Sequence, residues 1–172
     1  MPANNTIDLS RLALTPGAGR RLDLEVEPEP LELGRERYTF SLRTAHVRLD
    51  VSRTAAGHAL RLSFAGELAG PCTRCLEDAR IPVSVEAREV EQPRSGEEEL
   101  SSPYVVEELL DLAAWARDAL ALAVPSKLLC RPDCAGLCPV CGASLNDADP
   151  DEHRHETGGD PRWEVLRELE LE

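Results

Sequence analysis

Residues 60–87 read LRLSFAGELAGPCTRCLEDARIPVSVEA, and this stretch decides the fold. Apolar and polar side chains alternate over residues 60–64 and again over residues 81–87. Alternation with a period of two predicts two strands of a sheet that buries one face. The pair Gly70-Pro71 marks the end of the first strand. The segment PCTRC is therefore the tip of a predicted hairpin.

The same alternation continues on the N-terminal side of this hairpin. Apolar residues alternate over residues 22–26 and over residues 45–51. Pro28 and Pro30 indicate a loop or an edge position after the first of these segments, and Gly57 marks a turn after the second. Short connections favour antiparallel neighbours, so the first 90 residues predict an antiparallel sheet or a small open barrel.

A linker and a helix are predicted after the sheet. Residues 91–104, EQPRSGEEELSSPY, are acidic and rich in turn formers, which is typical of a solvated linker. Apolar residues then recur every three to four positions over residues 106–124, which predicts an amphipathic helix that Pro125 ends. Acidic residues suit the positive end of a helix dipole, and three stand at its start: Glu107, Glu108 and Asp111.

The C-terminal part of the chain is irregular. Residues 126–160 contain four cysteines, two histidines and many turn formers, with no hydrophobic periodicity. A short amphipathic helix is predicted over residues 163–169. The fold class is therefore α+β, with a β-rich region over residues 1–104 and a helix plus a cysteine-rich lobe over residues 105–172. We expect the two regions to form one cooperative domain.

Charge and composition exclude several functions. Residues 1–90 contain 12 arginines and 13 acidic residues, whereas residues 91–172 contain seven basic and 19 acidic residues. An acidic C-terminal half argues against broad binding to a phosphate backbone, which needs clustered Lys and Arg. Aromatic residues make up 3% of the chain, too few for a platform that stacks nucleic-acid bases. No apolar stretch is long enough to cross a bilayer, so we expect no membrane partner.

The cysteines indicate a metal-binding protein. Residues 1–6 have neither the basic region nor the apolar core of an export signal, so we expect a cytoplasmic chain with reduced thiols. Closely spaced cysteines are then metal ligands or a redox pair. A C-x2-C turn suits zinc because it brings two sulfurs to one tetrahedral centre. Six cysteines take part: Cys72, Cys75, Cys130, Cys134, Cys138 and Cys141.

Two partitions of the ligands fit this sequence. Together with His153 and His155 the cysteines make eight ligands, and a closed structural zinc site takes four. The first partition joins Cys72 and Cys75 to Cys130 and Cys134, which leaves Cys138 and Cys141 for the two histidines. The second partition is a single zinc ribbon, in which Cys72 and Cys75 face Cys138 and Cys141. The first is favoured because it uses every ligand.

The histidines need a turn in the chain. His153 and His155 flank one arginine, so in an extended segment they point to opposite faces. They bind one metal ion if the loop turns there, and otherwise they are two solvated side chains of a polar tail.

Other chemistry is less well supported by the sequence. A thioredoxin-like pair opens a helix after a strand, whereas Cys72 lies between two strands. Iron held by four thiolates is an alternative that spacing does not exclude. A catalytic zinc keeps an open position, but here ligands are in surplus and no general base stands beside them. His46 and His58 are expected to be structural or solvated. We therefore expect no enzymatic activity.

At these residues the chain resembles the large ribosomal RNA subunit accumulation proteins (YceD-like). Many relatives carry a C-x-C pair after the Leu145-Asn146 element, and His153 and His155 stand at about that place. An exchange of Cys for His preserves zinc binding. The resemblance rests on residues 7–9, 72–76, 123–125, 130–146 and 160–163.

The resemblance implies a role in ribosome biogenesis. We expect a non-enzymatic zinc-binding factor that supports accumulation or processing of large-subunit ribosomal RNA. The acidic surface favours a protein partner, such as a ribosome-assembly protein or a basic ribosomal protein. The alternatives are a direct RNA-binding zinc module and a thiol-based redox or metal sensor. Direct contact with ribosomal RNA would use arginines of the sheet, and the candidates are Arg43, Arg48, Arg53, Arg61 and Arg74.

Overall fold

The computed structural model describes residues 5–40, 44–92 and 100–149, together with His153 and His155. Within these residues the chain forms nine β-strands, a short 3-10 turn and one α-helix. In chain order the elements are β1 (Thr6–Asp8), a 3-10 turn (Ser10–Leu12), β2 (Gly19–Val26), β3 (Leu31–Leu33), β4 (Glu36–Phe40), β5 (Ala45–Arg53), β6 (His58–Pro71), β7 (Asp78–Glu91), β8 (Val105–Val106), β9 (Leu109–Asp111) and α1 (Leu112–Ala123).

The large sheet is built around β6. This strand pairs with β7 along its whole length, and the two form the hairpin that the sequence predicts. On its other side β6 pairs first with β5 and then with β4. Strand β2 pairs with β5, and β3 pairs with β4, so every pairing is antiparallel. The described strands form an open sheet that does not close into a barrel.

Strands β3 and β4 were not predicted, and two glycines explain how they join the sheet. A Cβ atom on Gly66 would lie 2.1 Å from the ring of Phe40, and one on Gly70 would lie 2.1 Å from the ring of Tyr38. Glycine therefore leaves room for the aromatic side chains of β4 to lie across β6. The Tyr38 hydroxyl donates a hydrogen bond to the carbonyl oxygen of Pro71, 3.2 Å away.

The core lies on one face of the sheet. The inward side chains of β5 and β6 face each other in register and are almost fully buried, for example Leu49 opposite Leu62. Helix α1 covers them with Trp115, Ala116 and Leu120. It ends before Pro125, as predicted.

The predicted start of the helix is wrong. Strand β9 pairs with both β8 and β1 in a small second sheet, and helix α1 begins only at Leu112. Between β8 and β9, Glu107 and Glu108 form the turn, with φ values of +50° and +66°. The β-branched Val105 and Val106 favour a strand. Asp111 caps the helix, since its side chain accepts a hydrogen bond from the Ala114 amide at 3.0 Å.

The prediction of a solvated linker over residues 91–104 is wrong at both ends of that range, where the chain is partly buried and hydrogen-bonded. Glu91 belongs to β7 and is buried, and its carboxylate accepts a hydrogen bond from the amide of the buried Ser102 at 2.7 Å. The Gln92 amide donates to the Leu100 carbonyl oxygen at 2.7 Å. Residues 93–99 and the helix predicted over residues 163–169 lie outside the described residues.

Among the described helical residues none forms a segment long and apolar enough to cross a membrane.

Candidate metal centres

The turn between β6 and β7 presents two sulfurs to one side. The Cys72 amide donates to the Glu77 carbonyl oxygen at 2.7 Å, and the Leu76 amide donates to the Cys72 carbonyl oxygen at 3.0 Å. Leu76 closes the turn with φ +63°. The Arg74 amide points at the Cys72 sulfur, 3.4 Å away. This geometry holds Cys72 and Cys75 together at the hairpin tip, as the sequence predicts.

The first candidate centre contains Cys72, Cys75, Cys130 and Cys134. Their four sulfur atoms lie within 4.8 Å of one another. Cys72 and Cys134 are 3.8 Å apart between sulfurs, and Cys75 and Cys130 are 3.5 Å apart. Four sulfurs about 2.3 Å from a tetrahedral zinc ion stand about 3.8 Å from one another. The arrangement therefore fits a closed site with four thiolates.

Contacts around the first centre fix the lobe against the hairpin. The Thr73 amide donates to the Leu128 carbonyl oxygen at 2.7 Å. The Arg74 guanidinium donates to the Cys134 carbonyl oxygen at 2.6 Å. Gly136, at φ +85°, packs so closely that a Cβ atom there would lie 3.2 Å from the Arg74 carbonyl oxygen. The hairpin tip and the lobe thus meet through backbone as well as sulfur.

Asn146 supports one of these ligands directly. Its side-chain oxygen accepts a hydrogen bond from the Ala135 amide at 2.8 Å, and its NH2 group lies 3.6 Å from the Cys134 sulfur. A donor in this position stabilises a thiolate and orients it toward the metal. The carbonyl oxygen of Asn146 is held in turn by Arg131 at 3.0 Å.

The second candidate centre contains Cys138, Cys141, His153 and His155. Their ligand atoms also lie within 4.8 Å of one another. The Cys141 sulfur is 3.4 Å from His153 Nε2, which is itself 3.4 Å from His155 Nε2. The His153 amide donates to the Asp149 carbonyl oxygen at 3.0 Å. Both histidine rings therefore reach the same pair of sulfurs.

Cys72 and Cys138 both have a lowered pKa. Burial raises the pKa of Cys72, but backbone amides directed at its sulfur outweigh that effect and lower the pKa to about 6. Backbone amides of Cys141 and Val140 likewise lower the pKa of Cys138 to about 6. Burial raises the pKa of Cys130 to about 12. Backbone amides thus favour the thiolate form of the first cysteine in each C-x2-C turn.

The structure groups the eight predicted ligands as in the first partition, and not as a single ribbon. The spacing of the cysteines alone did not decide between these arrangements. The deciding contacts are those of Arg74, Gly136 and Asn146, which place Cys130 and Cys134 at the hairpin tip.

The arginines of the sheet are engaged in ion pairs or hydrogen bonds. Arg48 lies 3.7 Å from Asp23, and Arg61 lies 2.9 Å from Glu86. Arg53 contacts Glu108 at 4.0 Å, and Arg74 binds the Cys134 carbonyl oxygen. Arg43 lies outside the described residues. Three of the five candidate arginines, Arg48, Arg53 and Arg61, therefore lie beside a carboxylate.

Fold and site together define a class of protein, in which an open antiparallel sheet carries two cysteine-rich candidate metal centres on one hairpin and an adjoining lobe. The sequence profile described as large ribosomal RNA subunit accumulation protein YceD matches residues 60–170, which include the hairpin and all eight candidate ligands. The chain belongs to this family, as its motifs predicted.

Curated relatives extend over nearly the whole chain. An uncharacterized protein of Mycobacterium tuberculosis and one of Mycobacterium bovis are each 36% identical to it over 171 residues, which is 95% of this chain and 80% of each relative. An uncharacterized protein of Mycobacterium leprae is 34% identical over 103 residues, which is 57% of this chain and 46% of that relative. No solved structure matches the chain significantly.

Proposed function

We propose that this protein is a non-enzymatic, zinc-binding ribosome-biogenesis factor of the cytoplasm. It supports accumulation or processing of large-subunit ribosomal RNA, and it acts through a protein partner. The observation that carries the proposal is the coincidence of two features. The matched family is described by large-subunit ribosomal RNA accumulation, and the same span contains two complete four-ligand sets.

Zinc is the metal that suits both sets. Tetrahedral groups of four sulfurs, or of two sulfurs and two nitrogens, favour zinc over harder cations. Each group already supplies four protein ligands, which is typical of structural zinc and leaves no open position for a substrate. This coordination supports a binding role over catalysis.

A protein partner suits the distribution of charge. Residues 91–172 contain 19 acidic and seven basic residues, and the sheet arginines Arg48 and Arg61 are paired with carboxylates. Such a surface attracts a basic protein and repels a phosphate backbone. The partner is therefore a ribosome-assembly protein or a basic ribosomal protein.

The function is tested by depletion and rescue in cells. Depletion is expected to lower large-subunit ribosomal RNA relative to small-subunit RNA, and the wild-type chain is expected to restore it. A Cys134→Ser chain should fail to restore it, because that change breaks the first centre. An unchanged ratio of the two RNAs after depletion would contradict the proposed role.

The partner is tested by affinity capture and binding kinetics. We expect the captured partner to be a basic protein. Its association with the purified chain should slow about threefold to tenfold when Glu97, Glu98 and Glu99 are changed to Gln, and salt should reduce this difference.

A matched control uses Glu29, Glu32 and Glu36, which are exposed carboxylates in the near-neutral half. The same change to Gln at those positions should leave the association rate nearly unaltered. Direct RNA binding predicts instead that purified ribosomal RNA binds tightly, is indifferent to both acidic sets and is lost when sheet arginines are replaced. That result would overturn the protein-partner proposal.

A further inference from the structure

We infer that the second centre, formed by Cys138, Cys141, His153 and His155, is a peroxide-sensitive and exchangeable zinc site, whereas the first centre holds its zinc permanently. This inference rests on the proposed function, in which both centres bind zinc. It adds a site of reversible oxidation on the cysteine-rich lobe.

Burial separates the two centres. In the first centre Cys72 and Cys134 are 0% exposed, Cys75 is 4% exposed and Cys130 is partly exposed. In the second centre Cys138 is buried, but Cys141 and His155 are exposed. Oxidation of a thiolate requires that the oxidant reach the sulfur. Hydrogen peroxide therefore reaches the exposed Cys141 more readily than Cys72, Cys75 and Cys134, the three buried cysteines of the first centre.

The covering of the first centre comes from distant parts of the chain. Ala79 of β7 packs on its cysteines together with Leu129 and Leu137. Cys75 and Cys130 are separated by 55 residues, so the centre joins the sheet to the lobe. Opening it requires the hairpin tip and the lobe to separate.

The second centre is held only by local contacts in the described residues around it. The Gly142 amide donates to the Cys138 carbonyl oxygen at 2.9 Å, and the Cys138 amide donates to the Ala143 carbonyl oxygen at 2.8 Å. Val140, between the two cysteines, is 59% exposed. Exposed, locally supported ligands of this kind open at low cost in free energy.

The chemistry balances with hydrogen peroxide as the oxidant. One zinc-bound thiolate attacks a peroxide oxygen, which forms a sulfenic acid and releases hydroxide. The second thiolate then attacks the sulfenic sulfur, which forms the Cys138–Cys141 disulfide and releases a second hydroxide. Two protons convert the hydroxides to water, and Zn²⁺ leaves because two histidines alone hold it weakly. A dithiol reductant reverses the oxidation and lets zinc return.

The consequence for the lobe is local. Loss of the second zinc releases His153 and His155 from Cys138 and Cys141, while Cys130 and Cys134, with Asn146 beside them, continue to hold the lobe on the hairpin. Oxidation would therefore alter one face of the lobe without unfolding the sheet.

The test uses the full chain loaded with zinc and treated with hydrogen peroxide. Zinc release is followed with a chromogenic chelator, and each cysteine is mapped by alkylation and mass spectrometry. We expect one zinc ion per chain to leave at least about tenfold faster than the other. The fast phase should coincide with a Cys138–Cys141 disulfide, and a reductant with added zinc should restore both ions.

Two variants show which centre releases its zinc ion in the fast phase. Cys141→Ser should remove the peroxide-released ion and leave a single slowly released zinc. The matched Cys75→Ser change in the first centre should retain the fast phase. If that variant does not fold, the cysteine map of the wild-type chain makes the same assignment.

The possible outcomes test this inference separately from the proposed function on which it rests. Simultaneous release of two zinc ions, or oxidation of Cys72 and Cys75 before Cys141, would overturn the inference and leave zinc binding intact. A chain that contains one zinc, held only by the first centre, would also overturn it. A purified chain with no zinc at all would overturn both the inference and the proposed function.

Discussion

The inward faces of β5 and β6 are covered by almost fully buried aliphatic side chains, whereas residues 126–149 bury chiefly cysteines, with Leu128 as the main apolar exception. Each buried aliphatic side chain contributes about 1.5–3 kcal/mol through the hydrophobic effect. A structural zinc site contributes about 10–16 kcal/mol of binding free energy that is coupled to folding. We therefore expect the sheet to hold its structure without metal and the lobe to depend on bound metal.

This difference explains why the lobe lies on the hairpin. The tip of β6 and β7 supplies two ligands that the sheet keeps in place, so half of the first centre is ordered before the lobe joins it. The lobe adds Cys130 and Cys134 and gains an ordered anchor.

The largest expected effect comes from breaking the first centre. Cys134→Ser should remove one zinc ion and expose the lobe, because a buried ligand is lost. Trypsin should then cut after Lys127 much faster than in the wild-type chain, while the arginines of the sheet stay protected. Cys141→Ser is the matched control, since it removes a ligand of the second centre only. Equal cleavage rates in Cys134→Ser and wild type would contradict the role given to the first centre.

A substitution in the core of the sheet should lower the stability of the chain and leave its zinc content unchanged. Leu62→Ala removes a fully buried side chain and is expected to lower the free energy of unfolding by about 2–5 kcal/mol. The zinc content of the folded variant should stay at the wild-type value. Chemical denaturation measures the first quantity and elemental analysis the second. Leu122→Ala is the control, since Leu122 is 89% exposed and its loss should change stability by less than about 0.5 kcal/mol. A loss of zinc from folded Leu62→Ala would show that sheet and lobe are not independent.

A smaller effect is expected at Asn146. Asn146→Ala removes the NH2 group beside the Cys134 sulfur and the acceptor of the Ala135 amide. Zinc affinity of the first centre should fall about tenfold, as for other outer contacts of metal ligands. Competition with a chelator of known affinity measures this change. Asn146→Asp keeps an acceptor for Ala135 but loses the donor to sulfur, so it separates the two contacts. Wild-type zinc affinity in both variants would show that Asn146 does not support the first centre.

The smallest effect concerns pH and the sheet. His58 is buried, with its Nε2 atom 3.0 Å from an Arg53 nitrogen and its Nδ1 atom 3.5 Å from a Glu108 oxygen. Burial lowers the pKa of His58, and Glu108 only partly opposes it. The unfolded chain therefore takes up a proton first as pH falls, so the stability given by neutral His58 is present above about pH 6.5 and is lost below it.

This pH effect is measured by comparing His58→Gln with the wild-type chain. The wild-type free energy of unfolding should fall more steeply below about pH 6.5 than that of the variant, by less than about 1.4 kcal/mol per pH unit. Circular dichroism of the sheet during denaturation gives both curves. Parallel curves would show that His58 does not titrate in this range.

Much of the sheet could be predicted because its strands bury one face and so alternate with a period of two. Strands β3 and β4 could not be predicted, because both are short and β4 joins β6 only where Gly66 and Gly70 admit aromatic rings. The helix start was misplaced because pairing between β8 and β9 overrides the apolar periodicity there.

The candidate centres, like the sheet, could be predicted only in part. Residue types and C-x2-C spacing predicted which side chains would gather. Which cysteines meet depends on contacts of Arg74, Gly136 and Asn146, whose effect appears only in three dimensions. Two of the arginines proposed as an RNA-binding face, Arg48 and Arg61, have carboxylate partners on neighbouring strands, and a single strand's pattern does not show that pairing.

Hydrogen exchange of the full chain, before and after zinc is removed with a chelator, tests most directly whether metal orders the lobe while apolar burial orders the sheet. The amides of residues 126–149 should lose their protection on chelation, and those of β5 and β6 should keep it. Elemental analysis of the same sample should give two zinc ions per chain before chelation and none after it. A lobe that keeps its protection without zinc, or a sheet that loses protection together with the lobe, would contradict the division between them.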